Sequence, residues 1–402
     1  AAAYRQAAAT LADGRAVVDY VLMLEAVADA ERAAGNYAAA VGAYDEILGV
    51  AQNGGYRADI QQRAGQTLAT AGDEAAAIER WRAATEEAPE SEHAYTALIE
   101  LVNRNVAFDL YQRGYIDLAS EAWLPAINAY QEFLATAPGE DLRRGRALQE
   151  LGVAYIGAGD YPTAIATLDR TLLEYPDCAC LGDAWLAKAQ ALSLLDDRVG
   201  ARRTYRTFAR EHPDDPLAPE ALWRSGLAAY ADDNQTEAVL DFMALADGFP
   251  GSERAPEALY TLGMGALQNG QTQQAADALM RLRTDYPDFR SLATGYWLGR
   301  AQTANSAATG AESWQQVVDQ APDLYYGILA AQALAGRTNG PNVFFHAMPD
   351  IVGPPSTLEN DDASQAFAEA WLASWITDAP ADLGQLPAAA VDAADLTALS
   401  LL

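Results

Sequence analysis

The sequence predicts an all-α solenoid: a right-handed α-α superhelix of about eight helical hairpins followed by C-terminal helices. Three observations predict it. Proline recurs at Pro138, Pro176, Pro213, Pro250, Pro287 and Pro322, in steps of 38, 37, 37, 37 and 35 residues, and a fixed period of that length marks stacked supersecondary units. Within each period a small residue lies twelve positions before the proline (Ala126, Ala164, Ala201, Ala238, Ala275, Gly310) and a bulky one eight before it (Tyr130, Leu168, Tyr205, Phe242, Leu279, Trp314). Ala77 and Trp81 stand in the same relation to Pro89, and Ala40 and Tyr44 hold these places in a first unit without the proline. The composition, 50% hydrophobic and rich in alanine, suits helices that pack closely.

In chain order, residues 1–14 read as helical, and units one and two follow over about 21–54 and 58–91, with turns at Gly35-Asn36 and Gly72-Asp73. From Pro89 to Pro138 the step is 49 residues, which leaves room for an extra helix over 91–106 that should bend or offset the superhelix. Units three to eight then run to Pro322. Residues 145–178 show the hairpin most plainly. Leu148, Leu151, Gly152 and Tyr155 share one helical face; Gly159-Asp160 break the chain; Tyr161, Ala164, Leu168 and Leu172 form a second face, and Tyr175-Pro176 end it. Asp73, Asp160, Asp196 and Asp233 fall at hairpin turns, where side-chain caps account for them. A last helix, 323–336, ends in glycine, and 336–362 is rich in Gly, Pro, Asn and Asp and reads as a linker. The expected division is a repeat region over 1–324 and a helical extension over 325–402.

These residues resemble the tetratricopeptide repeat. That family's pattern of Leu, Gly, Tyr, Ala, aromatic, Ala and Pro falls on Leu151, Gly152, Tyr155, Ala164, Leu168, Thr171 and Pro176, with departures at Leu168 and Thr171. Other units lose the glycine, as at Ala189 and Leu298. The resemblance covers roughly 21–324, and a period of 37 against the family's usual ~34 implies longer linkers between hairpins.

A net charge of −30, from 56 acidic and 26 basic residues, argues against nucleic acid and against anionic membrane surfaces as partners. No run is long and apolar enough for a membrane span or a secretory leader. Cys178 and Cys180 stand one residue apart, too close for an unstrained bridge and too few for a metal site, so they read as ordinary thiols. His93, His212 and His346 are too scattered for a metal site or a nucleophilic triad, and no glycine loop for phosphate occurs. No cofactor is expected.

A second resemblance begins after the last repeat proline. Tyr325-Tyr326-Gly327-Ile328-Leu329-Ala330-Ala331-Gln332-Ala333-Leu334 is similar to the phrase that precedes the catalytic part of bacterial soluble lytic transglycosylases, and 363–377 resembles a helix of the same proteins. The resemblance implies a cell-envelope protein whose helical scaffold carries a peptidoglycan-cleaving domain, which would begin after Leu402. The catalytic Glu-Ser dipeptide of that family has no counterpart here in a suitable setting. Glu90-Ser91 lies in a linker, Glu312-Ser313 starts a repeat helix, and Leu262-Gly263-Met264-Gly265 fills a packing slot. The chain is therefore expected to be a non-catalytic scaffold for a protein partner or a glycan strand. The alternative is a free-standing tetratricopeptide adaptor of an envelope assembly.

In such arrays the first helix of each hairpin lines the concave face. The exposed line is expected near Trp223, Leu227 and Tyr230 of unit six and Tyr260, Met264 and Leu267 of unit seven, with Leu186, Gln190 and Ser193 as their counterparts in unit five. An apolar, aromatic stripe of this kind suits a hydrophobic or sugar-stacking partner. Packing against neighbouring helices is the other account of the same side chains.

Overall fold

The computed structural model describes residues 2–5, 17–304 and 306–336. Among these, eighteen helices of ten residues or more follow one another, and no strand occurs. They are α1 (Val17–Ala33), α2 (Tyr37–Val50), α3 (Gly54–Thr70), α4 (Glu74–Glu87), α5 (Glu92–Asn103), α6 (Leu110–Ala119), α7 (Trp123–Thr136), α8 (Arg144–Gly157) and α9 (Tyr161–Glu174). The second half comprises α10 (Leu181–Leu194), α11 (Arg198–Glu211), α12 (Ala218–Ala231), α13 (Gln235–Gly248), α14 (Arg254–Gln268), α15 (Thr272–Asp285), α16 (Ser291–Thr303), α17 (Ala307–Gln320) and α18 (Tyr325–Leu334). Each helix packs on the next, and first helices of neighbouring hairpins also touch, as α8 with α10 and α12 with α14. This is the all-α solenoid of hairpins that the periodicity predicts. The extra helix is α5, which packs on both α4 and α3. It occupies the place of a first helix, but the chain then turns through Val106 and Phe108 straight into α6. His346, the 336–362 linker beyond Gly336, and 363–377 lie outside the described residues.

Seven hairpin turns share one device. A residue with positive φ follows the first helix (Gly35, Gly72, Glu121, Gly159, Asp196, Asp233 and Gly270), and the N–H of the residue after it bonds back to the helix, as Asp160 to Tyr155 O at 2.9 Å. That is a Schellman closure, and the left-handed position favours glycine because a Cβ is strained there. Two expected caps are therefore reassigned. Asp73 and Asp160 do cap the second helix, accepting from Ala76 N and Thr163 N. Asp196 and Asp233 hold the left-handed position instead, and their successors Asp197 and Asn234 accept from Gly200 N and Glu237 N.

The core is the seam between the two helices of each hairpin. All the bulky residues of the periodic pattern are buried, with Tyr44, Trp81, Tyr130, Leu168, Phe242 and Leu279 at 0% exposure, worth about 1.5–3 kcal/mol each. The small residues four places earlier are buried with them. The closest approach, however, comes from the other helix, sixteen positions back. A Cβ at Gly65, Gly114, Gly152, Gly226 or Gly263 would lie 2.5–2.7 Å from Trp81, Tyr130, Leu168, Phe242 or Leu279. Alanine fills this slot at Ala28 and Ala189, both fully buried. The last hairpin keeps its glycine after all: Leu298 is buried, and Gly299 one step on faces Trp314 at 2.6 Å.

The two cysteines correct the expectation of free thiols: Cys178 and Cys180 are joined by a disulfide, with Cα atoms 5.0 Å apart. The turn between α9 and α10 folds the chain back enough to bring a one-residue spacing into bridging range. Three carboxylates are also buried, Asp117, Glu150 and Asp241, and Glu150 accepts from the Tyr130 hydroxyl at 2.7 Å. Asp241 accepts from Arg206 at 2.5 Å and from Ser225 at 2.6 Å. Asp117, on α6, has Arg113 at 3.6 Å, and burial outweighs that charge and pushes its carboxyl up to about 6.

Candidate partner-binding face

The first helices α12, α14 and α16, with α18 stacked beyond, place one aromatic position in register. Trp223, Tyr260 and Trp297 are 37 residues apart and fall on α12, α14 and α16. Each ring carries an arginine at cation–π distance: Arg254 over Trp223 at 5.3 Å, Arg290 over Tyr260 at 5.0 Å and Arg300 over Trp297 at 5.7 Å. Stacked repeats put equivalent positions on one strip, so a residue type repeated at the period becomes a ladder.

The first two rungs of the ladder differ in charge. Around Trp223, Arg254 donates to Glu220 at 2.8 Å and to Glu257 at 2.6 Å, and Glu220 also accepts from Arg224 at 2.8 Å. Glu220, Arg254 and Glu257 line, with Pro216, Pro219 and Ser252, a shallow pocket of about 380 Å³ whose cation is already neutralised. At Tyr260 the setting changes. Arg290 is exposed, stacks on Tyr260 and on Phe289 at 5.4 Å, and makes no ion pair among the described residues. It holds a left-handed backbone, φ 46°, at the start of α16, a conformation costly for a branched or long side chain. Tyr296, Trp297, Tyr325 and Tyr326 complete the group: Tyr296 lies 5.0 Å from Trp297 and 5.8 Å from Tyr326, and Tyr325 lies 5.1 Å from Tyr326. Burial raises the phenols, Tyr260 to about 12 and Tyr326 in the same direction, so both stay neutral hydroxyls at physiological pH.

The six residues singled out by sequence divide. Trp223 and Tyr230 flank Phe242 at 5.2 and 5.5 Å, and Leu227 packs on the same cluster, so all three are half-buried in the α12–α13 seam. The Tyr230 hydroxyl also sits against Gly265 of α14, where a Cβ would meet it at 2.6 Å. Met264 is buried at 5% exposure and offers no surface; Leu267 is half-buried. Of the six, only Tyr260 joins the aromatic group around Arg290. In unit five, Leu186 is buried, while Gln190 and Ser193 face solvent. Sequence reasoning missed Arg290 and Trp297. The 37-residue step from Trp223 through Tyr260 was the available signal for Trp297; Arg290 lies in a linker and carries no periodic mark.

The motifs set aside on sequence grounds have structural settings. Ser91 caps α5, donated to by Ala94 N, and Ser313 bonds Gln302 at 2.7 Å, while Glu90 and Glu312 face solvent. Gly263 is the packing glycine against Leu279. His212 lies tilted against the stacked pair Trp185 and Phe208, and His93 lies 3.5 Å from Asp59. Among the described residues no cluster of His, Cys, Asp or Glu has the make-up of a metal site, and no helix is long and apolar enough to cross a membrane.

A tetratricopeptide-repeat family model matches two stretches, residues 146–177 and 257–288, which are the hairpins α8–α9 and α14–α15. No curated protein matches the chain. Among solved structures, it is similar to a tetratricopeptide-repeat protein from Parabacteroides merdae, at 15% identity over 70% of this chain and 98% of that one, TM-score 0.32. It is also similar to the C-terminal part of a repeat-containing protein from Cytophaga hutchinsonii, at 18% identity over 66% and 97%, TM-score 0.36.

Proposed function

We propose that this chain is a non-catalytic helical-repeat scaffold that holds an extended segment of a protein partner along its first-helix face, anchored at Tyr260, Arg290, Trp297 and Tyr326. One observation carries the reading: at Tyr260, the middle rung, the aromatic ladder of period 37 carries Arg290, exposed and with no acidic partner among the described residues, in a chain of net charge −30. An unpaired guanidinium backed by two rings is a ready donor for a carboxylate, and the flanking rings take an apolar side chain. The fitting segment therefore pairs an acidic residue with an aromatic or aliphatic one.

The finer setting is the scaffold of a cell-envelope lytic transglycosylase. Its support is the Tyr325–Leu334 phrase, which forms α18 and contributes Tyr326 to the aromatic group. A disulfide persists in oxidising compartments, which also favours the envelope. Stacked rings suit sugar faces as well, so a peptidoglycan glycan strand is the second reading for the same surface.

The test is a binding comparison of the parent with Arg290→Ala and Trp297→Ala, against an array of acidic-aromatic peptides and against purified peptidoglycan sacculi. The scaffold reading expects peptide binding that falls at least tenfold in both variants with helicity unchanged. Sedimentation with sacculi that Trp297→Ala abolishes and Arg290→Ala spares selects the glycan. Binding to either that neither variant alters removes this face from the function.

A further inference from the structure

We propose that Cys178 and Cys180 form a redox-active disulfide that exchanges with an external dithiol, on a protein or a small molecule, at the joint between the hairpins α8–α9 and α10–α11. The bond is not what shapes the turn. Cys178 N–H donates to Tyr175 O at 3.0 Å, Leu181 N–H to Cys178 O at 2.9 Å and Ala184 N–H to Cys180 O at 2.9 Å, so the backbone presents the two Cα atoms 5.0 Å apart on its own account. Closing so short a loop removes little entropy from the unfolded chain, so the bridge contributes far less to stability than one spanning a domain. Two thiols held together by the fold instead re-form their bond readily after reduction, as exchange requires.

The two sulfurs are not equivalent. Cys180 is fully buried, whereas Cys178 is half-buried, so an incoming thiolate reaches Cys178 first. Cys180 is also the N-cap residue of the 14-residue helix α10, where the helix end stabilises the thiolate it becomes on leaving. The one carboxylate in the first turn of α10, Asp183, is paired with Arg146 at 2.7 Å, which offsets its repulsion of that thiolate. Gly145, at the start of α8, packs against the Cys178 sulfur, which a Cβ there would crowd at 3.2 Å. After reduction, the Cys180 N–H that now bonds the Cys178 sulfur at 3.1 Å remains a donor to it.

The exchange balances as follows. One thiolate of the dithiol attacks the Cys178 sulfur, the Cys178–Cys180 bond breaks, and Cys180 leaves with the electron pair as a thiolate that is then protonated. The second thiol of the dithiol, deprotonated, attacks the dithiol's first sulfur in the mixed disulfide and releases Cys178 as a thiolate, which is then protonated. Two electrons pass from the dithiol to the protein, which ends with two thiols, and the dithiol ends as a disulfide.

The test uses the whole chain, equilibrated in glutathione mixtures of graded reduced-to-oxidised ratio and trapped by alkylation for mass spectrometry, with circular dichroism in parallel. The expected result is a reversible two-electron transition within the glutathione range without loss of helicity. In addition, Cys180→Ser should take up glutathione at Cys178 at least tenfold faster than Cys178→Ser takes it up at Cys180. A bridge that resists glutathione until the chain is denatured, cysteines that stay unbridged in oxidised glutathione, or reduction that melts the helices would each overturn the proposal. Equal capture rates in the two variants would overturn the assigned order of attack.

Discussion

Replacing Gly226 by alanine probes the seam on which the whole array depends. A Cβ at this position would lie 2.6, 2.7 and 2.9 Å from Cε1, Cζ and Cδ1 of Phe242, against at least 3.4 Å for an ordinary contact. The shortfall is about 0.8 Å, and three atoms of a rigid ring share it. Phe242 is fully buried and flanked by Trp223 and Tyr230, so it has no free direction in which to turn. The helices must part instead, which puts the overpacking cost at the upper end of its range, ~3 kcal/mol. Alanine's better helix propensity returns about 1 kcal/mol, for a net loss of about 2 kcal/mol. The control is Gly42→Ala on α2, where nothing lies within 4 Å, and which should stabilise by about 0.5–1 kcal/mol. Urea denaturation measures each variant, with hydrogen exchange of the α12 and α13 amides to localise the effect, because neighbouring hairpins need not unfold together. Combining Gly226→Ala with Phe242→Leu should recover about 1 kcal/mol relative to the sum of the single changes. If Gly226→Ala stabilised the chain as Gly42→Ala does, and the pair proved additive, the seam would not be where the fold is decided.

Two further outcomes follow from buried positions. Asp117 has its carboxyl raised to about 6 by burial, against 3.8 unperturbed, so the folded chain holds that proton more tightly than the unfolded chain. Its stabilising contribution is complete below about pH 4 and is lost as pH rises through about 6, so Asp117→Asn should gain on the parent by about 1 kcal/mol between pH 5 and pH 7.5 in parallel urea titrations. A pH-independent difference would show that Asp117 is ionised throughout. Ala164→Phe, at a fully buried site in the α8–α9 seam, should lower the melting temperature by a cost of a few kcal/mol, whereas Arg210→Ala, an exposed site, should leave it nearly unchanged; equal melting curves would reject the register.

Much of this molecule is written in its period. The proline steps, the buried small and bulky positions and the inserted α5 all follow from spacing, because a hairpin cannot bury its apolar face alone and each unit must present the same face to the next. Sequence also sets the overall charge, 56 acidic residues against 26 basic ones, before any shape is known. What tertiary structure alone decided concerns pairs of residues and exposure. Spacing set Phe242 beside Ala238 on one helix, but only the packed hairpin shows that Gly226, from the other helix, makes the room for its ring. Periodicity put Met264 and Tyr260 on one expected strip. Packing buries the first and leaves the second under Arg290, since which side of a first helix is covered depends on how the hairpins stack. The disulfide is the sharpest case: a one-residue spacing reads as too close for an unstrained bridge, whereas the turn before α10, held by backbone hydrogen bonds that no count of residues reveals, sets the two Cα atoms 5.0 Å apart within bridging range.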